Sequence, residues 1–182
     1  RGCLSFRASK SRARSPTVPR PPRLTTVLID SHTHLDHCRE AAADLVSEAR
    51  AAGVGVIIQS GTDRERSRRS VELAEEFPEV FATVGYHPHE AGKLDEQGLA
   101  EIERWTAHPR VVGVGETGFD YYHDHCPHCV QGDVFIRHLD LARRAGLPVV
   151  IHTREAAQDT LDVLSEHGLG LTVVLHCFSL PA

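Results

Sequence analysis

The sequence predicts an α/β fold built on a parallel sheet. Three observations carry this. Six short Val/Ile/Leu runs recur along the chain, segments of helical periodicity separate them, and five of the six runs lead directly into His or Glu. Runs that are apolar throughout belong to strands buried on both faces. Strands that alternate with helices over short connections join by right-handed crossovers into one parallel sheet.

The first element, Val27–Ile29, is a short apolar run ending at Asp30. Arg39–Ala52 has helical spacing at Ala42, Leu45, Val46 and Ala49, and stops at Gly53. Val54–Ile58 is a β-branched run and reads as a strand. Asp63–Phe77 is a helix with Asp63 as N-cap and Pro78 just past its end. Val80–Val84 is a strand, and Asp95 opens a helix to Ala107. Val111–Val114 is a strand. Val130–Ala145 is a helix with apolar Val134, Phe135, Leu139 and Ala142, closed by Gly146. Pro148–Ile151 is a strand, Glu155–His167 a helix closed by Gly168, and Leu171–Leu175 the last strand.

Composition narrows the class. The 182 residues are 41% hydrophobic and 25% charged with a net charge of −5, as in an ordinary globular chain. No apolar run approaches the roughly 18 residues of a membrane-spanning helix. Charge is unevenly placed. Residues 1–24 hold six Arg, one Lys and no acid, and the remainder has 13 basic against 25 acidic side chains. This Pro- and Ser-rich start buries too little apolar surface to order itself, so residues 1–25 are expected to be a disordered basic extension. It resembles a transit peptide or a nucleic-acid-binding arm, but the absence of Met even at position 1 favours sequence upstream of a true start. Residues 26–182 form the folded domain. Five cysteines, an odd number, with no secretory signal predict a reducing, cytoplasmic setting.

The residues at the strand ends suggest the chemistry. Asp30-Ser31-His32-Thr33-His34 comes after the first strand, Gly85-Tyr86-His87-Pro88-His89 after the third, and Gly115-Glu116-Thr117-Gly118 after the fourth. His152-Thr153-Arg154 comes after the fifth and His176-Cys177 after the sixth. The carboxyl ends of parallel barrel strands converge on one face, so these residues gather at one mouth. Neutral imidazole and carboxylate suit divalent metals. His32 and His34, one residue apart on an extended strand, share a face. Glu116 has two oxygens with which to bridge two ions, leaving His152 and His176 for the second. Ions about 3.5–4 Å apart clamp a phosphodiester and activate water.

These blocks resemble the TatD family of metal-dependent hydrolases. Leu28 to Asp36 is similar to its opening signature, Gly85 to His89 to its Gly-X-His-Pro segment, and Gly113 to Tyr122 to its most diagnostic block. Pro148 to Ala156 and Leu175 to Ser179 match two more. The resemblance implies an amidohydrolase-like (β/α)8 TIM barrel, here with about six of eight units, and hydrolysis of phosphodiesters, typically 3′-to-5′ cleavage of DNA. It implies two divalent ions (Mg, Mn or Zn), with His32 and His34 on one, Glu116 bridging, and His152 and His176 on the other. His87 and Arg154 would contact the substrate phosphate, where the planar fork of Arg pairs two oxygens. The family's next motif, an Asp on a later strand that serves as the catalytic base, does not occur before Ala182, and Leu180 stands where Gly is usual. The sequence therefore reads as a truncated barrel with exposed sheet edges, expected to be unstable alone. No obligate protein partner is evident, which predicts a monomer.

Two other readings stand beside this one. A different amidohydrolase-type enzyme would cleave amides, cyclic imides or phosphotriesters, often with a modified Lys as bridge. Only Lys10 and Lys93 occur, and neither ends a strand. Alternatively, the truncated chain is inactive. The His123-Asp124-His125-Cys126-Pro127-His128-Cys129 cluster has Cys-X-X-Cys without a second pair, so it reads as a variable loop. Arg64, Arg66, Arg68 and Arg69 read as a solvated helix face.

Overall fold

The computed structural model describes residues 27–123 and 125–177. The basic extension predicted for residues 1–25 lies outside the described residues, as do Phe178, Ser179 and Leu180. Six strands form one sheet in chain order, and every neighbouring pair is parallel. They are β1 (Leu28–Thr33), β2 (Val54–Ser60), β3 (Val80–Val84), β4 (Val111–Asp120), β5 (Val149–Arg154) and β6 (Val173–Leu175). The helices between them are α1 (Ala42–Ala51), α2 (Arg64–Glu76), α3 (Glu96–Thr106), α4 (His128–Ala145) and α5 (Ala157–His167). Consecutive parallel neighbours in chain order are the arrangement of a β/α barrel wall, as expected.

The apolar runs sit where their composition places them. Val80, Ala82, Val84, Val114, Val149 and Ile151 are fully buried in the middle strands. Phe135, Leu139 and Leu141 of α4 close over them, and Phe119 meets the Phe135 ring edge-on at 5.6 Å. The outermost strands differ. Leu28 and Ile29 on β1 and Val174 on β6 stay exposed, because one side of each strand has no described neighbour.

One strand departs from the sequence reading. Gly115-Glu116-Thr117-Gly118 is part of β4, which continues to Asp120 and pairs Thr117 to Asp120 with Ile151 to Arg154. Gly115 and Gly118 have φ of 137° and 131°, a region that favours glycine. Their missing side chains let β4 run close beside β5. A sequence search that ends strands at glycine stops too early here.

α4 also sets the path of the chain into the site. Its buried His138 donates from Nδ1 to the Val134 carbonyl at 2.8 Å and accepts the Tyr86 N–H at Nε2 at 3.1 Å. Tyr86 immediately precedes His87, so a core imidazole fixes the loop after β3. Burial pushes the His138 pKa down to about 4. Protons therefore bind the unfolded chain first. Stability is full above pH 6.5 and falls as pH drops toward 4, by about 3 kcal/mol. In denaturant titrations of metal-free protein, His138→Gln should lose about that much less stability between pH 7 and pH 4 than the wild type does. An equal loss in both would contradict the assignment.

Candidate metal centre

Glu116 is the middle of the site. It is 3% exposed, inside β4, and each of its oxygens faces a different set of imidazoles. Oε2 lies 3.2 Å from His32 Nε2 and 3.6 Å from His34 Nε2. Oε1 lies 2.9 Å from His152 Nδ1 and 3.9 Å from His87 Nε2. The His176 ring stacks on His32 at 3.4 Å between centroids. Two ligand-capable triples result, His32–Glu116–His176 and His87–Glu116–His152, each with donor atoms within 4.8 Å of one another.

The backbone delivers these groups in a simple way. His32 near the end of β1 and His34 just past it bring their Nε2 atoms to 3.2 Å of each other. Ser60 at the end of β2 orients both rings. Its carbonyl meets His34 Nδ1 at 3.1 Å and its hydroxyl meets His32 Nδ1 at 3.2 Å. Each ring thus turns Nε2 toward Glu116, as outer partners of metal-binding imidazoles do. Gln59, also on β2, accepts the Leu35 N–H and donates to Asp36, fixing the turn after His34.

Electrostatics prepares the same atoms. Burial works against the charge on Glu116, but hydrogen bonds from His152 and His32 and the charges of His87 and His32 outweigh it. The carboxyl is held far below the usual range. Burial lowers the pKa of His34 and His176, and that of His87 to about 3, so these imidazoles are neutral near pH 7. His152 moves the other way. Burial opposes its charge, yet Glu116 and Asp120 together raise its pKa. The neutral imidazoles of His34, His176 and His87 around one ionised carboxylate fit a divalent ion of the zinc or manganese kind.

The comparisons with known proteins agree with this geometry. A sequence model of the family described as TatD related DNase matches residues 29–182. The chain belongs to that family. It is 47% identical over 165 residues to an uncharacterized metal-dependent hydrolase TatD of Mycobacterium tuberculosis, covering 85% of this chain and 62% of that protein. It is 32% identical over 148 residues to a 3′-5′ ssDNA/RNA exonuclease TatD of Cronobacter turicensis, covering 81% of this chain and 55% of that one. The crystal structure of YjjV, a TatD homologue from Escherichia coli K12, matches with a TM-score of 0.79 and 31% identity over 87% of this chain and 62% of that one. The chain thus spans 55–62% of the length of these relatives.

Within this TatD-family chain, the structure brings His32, His34, Glu116, His87, His152 and His176 together. All but His32 line one cleft of about 380 Å³. Arg154 is placed elsewhere. Its guanidinium lies 3.8 Å over the Tyr122 ring and does not line the cleft. Arg66 does line it, 3.1 Å from Asp36. The helical charge run concealed this. Arg64 pairs with Glu101, and Arg68 and Arg69 with Glu72, as a solvated face should, whereas Arg66 turns to the mouth. Asp120 and His89 also escape the sequence reading. Asp120 is fully buried and its Oδ2 receives His152 Nε2 at 3.0 Å and His89 Nε2 at 2.9 Å. The Asp inside the diagnostic block was the available signal.

Proposed function

We propose that the protein to which this chain belongs is a metal-dependent hydrolase of phosphodiesters, acting as a 3′-to-5′ exonuclease on single-stranded nucleic acid in the cytoplasm. The observation that supports this most is the two-sided setting of Glu116. One carboxylate at the mouth of a parallel sheet has separate imidazole sets on its two oxygens. The exonuclease activity for which the Cronobacter relative is named agrees with the substrate class. Among the described residues, no helix is long and apolar enough to cross a membrane.

The residues have distinct parts in this reading. His32, His34, His176 and His152 hold up to two divalent ions around Glu116. Such ions polarise a phosphoryl oxygen and lower the pKa of bound water. His87 accepts the His89 N–H at Nδ1 at 3.2 Å, so its ring proton sits on Nε2, inside the cleft. That makes His87 a hydrogen-bond donor to a substrate phosphate. Arg66 is the nearby cation, in the part expected of Arg154. The 12 excess negative charges of residues 25–182 disfavour broad duplex binding, which needs many phosphate contacts. A strand end held locally is the better fit.

The test uses full-length protein and a 3′-labelled single-stranded oligonucleotide, with and without added Mg²⁺, Mn²⁺ or Zn²⁺. Cleavage should require the metal and be lost in His32→Ala/His34→Ala. Metal-independent cleavage, or full activity in that variant, would refute the reading.

A further inference from the structure

Beside the Glu116 centre lies a second convergence of imidazoles, around Asp120. This carboxylate ends β4 and is fully buried. Three ring nitrogens reach a single oxygen, Oδ2: His89 Nε2 at 2.9 Å, His152 Nε2 at 3.0 Å and His123 Nδ1 at 3.1 Å. The other oxygen, Oδ1, accepts the backbone N–H groups of Tyr122 and His123 at 3.1 and 3.0 Å. Five donors thus crowd a group with about four lone-pair positions. Three of them press on the same oxygen.

The groups come from separate parts of the chain. His89 lies on the 3-10 turn Pro88–Lys93 after β3, and His123 on the loop after β4. His89, Asp120 and His123 have ligand atoms within 4.8 Å of one another. A fourth imidazole, His125, packs against two of them, with ring centroids 4.7 Å from His89 and 5.7 Å from His123. His123 and His125 are exposed, so an ion has a path in from solvent. The neighbouring sulfurs take no part. Cys126 is buried, and neither it nor Cys129 belongs to any ligand-capable group among the described residues.

We propose that His89, Asp120 and His123, with the His125 ring packed against them, form a separate binding site for one Zn²⁺ ion on the rim of the TatD-type centre. Histidine nitrogens with one carboxylate oxygen are a borderline-soft donor set that zinc prefers over magnesium or calcium. An ion there relieves the crowding on Oδ2, since one cation replaces competing hydrogen bonds. It also ties the loop after β4 to the turn after β3. Asp120 touches His152, so the bound ion would fix the outer partner of a residue in the Glu116 centre.

The experiment is metal counting. Full-length protein is stripped with chelator, reloaded with Zn²⁺ alone, gel-filtered and assayed for zinc per chain by mass spectrometry. His123→Gln/His125→Gln should hold one zinc fewer than the wild type. Both side chains are exposed on a loop, and an unchanged metal-free melting curve confirms that the variant folds. His32→Ala/His34→Ala should lose zinc from the Glu116 centre and keep the rim ion. Equal zinc content in the wild type and in His123→Gln/His125→Gln would overturn the rim site, even if His32→Ala/His34→Ala loses metal and the Glu116 reading survives. The reverse pattern would overturn the Glu116 reading and leave the rim site standing.

Discussion

Glu116→Gln should lower nucleic-acid hydrolysis by at least about 100-fold and reduce bound divalent metal at the same time. The shape of the side chain is kept, so the change isolates its charge. That charge is what the site is built around, because Oε1 and Oε2 face His152, His87, His32 and His34 within 3.9 Å. Removing an outer partner of a metal ligand typically costs 10–100-fold in affinity or activity. Glu116 touches both imidazole sets directly, so its loss should exceed the upper end of that range. The check is kcat/KM on a single-stranded oligonucleotide together with metal content after gel filtration. A variant that keeps both would show that Glu116 is structural. Metal loss without loss of activity would separate the ion from the chemistry.

The sequence reveals the order of the sheet more readily than the details of its mouth. Val54–Ile58, Val80–Val84 (apart from Thr83) and Val149–Ile151 are apolar because strands in a parallel sheet are covered on both faces. That signal is local, so β2, β3 and β5 fall close to where it puts them. The gathering of His32, Glu116, His152 and His176 is legible for a related reason. Parallel strands all end on one side, so strand-end residues must meet. Partners chosen by side-chain direction leave no such trace. Arg154 ends β5 at the expected place, yet its guanidinium lies on Tyr122 instead of entering the cleft. Arg66 is spaced like the rest of an exposed helix face, but the start of α2 abuts the mouth. His123 belongs to a segment that reads as a variable loop, and only the turn after β4 brings its Nδ1 to Asp120.

Gly118→Ala should be the most disruptive small change near the site, costing about 3–5 kcal/mol and a large part of the activity. Two effects combine. Gly118 has φ of 131°, where a side chain is strained by itself. A Cβ there would stand 2.2 Å from the His152 carbonyl oxygen and 3.1 Å from Ile151 Cγ2. The obstacle is backbone in the paired strand, not the tip of a flexible side chain, so β4 and β5 must move apart. Gly118 pairs with His152 in the register of the two strands. The displacement therefore falls on a residue that joins Glu116 at 2.9 Å to Asp120 at 3.0 Å. Denaturant melts should show the loss of stability, and metal content should fall with it, because His152 would lose its position between the two carboxylates. Gly146→Ala is the control. Its φ of 67° is also unfavourable for a side chain, but nothing lies within 4 Å of an added Cβ at the end of α4. That variant should cost about 1 kcal/mol, the strain alone, and leave metal binding intact. If both variants lose metal equally, the close approach of β4 to β5 is not what holds His152 in place.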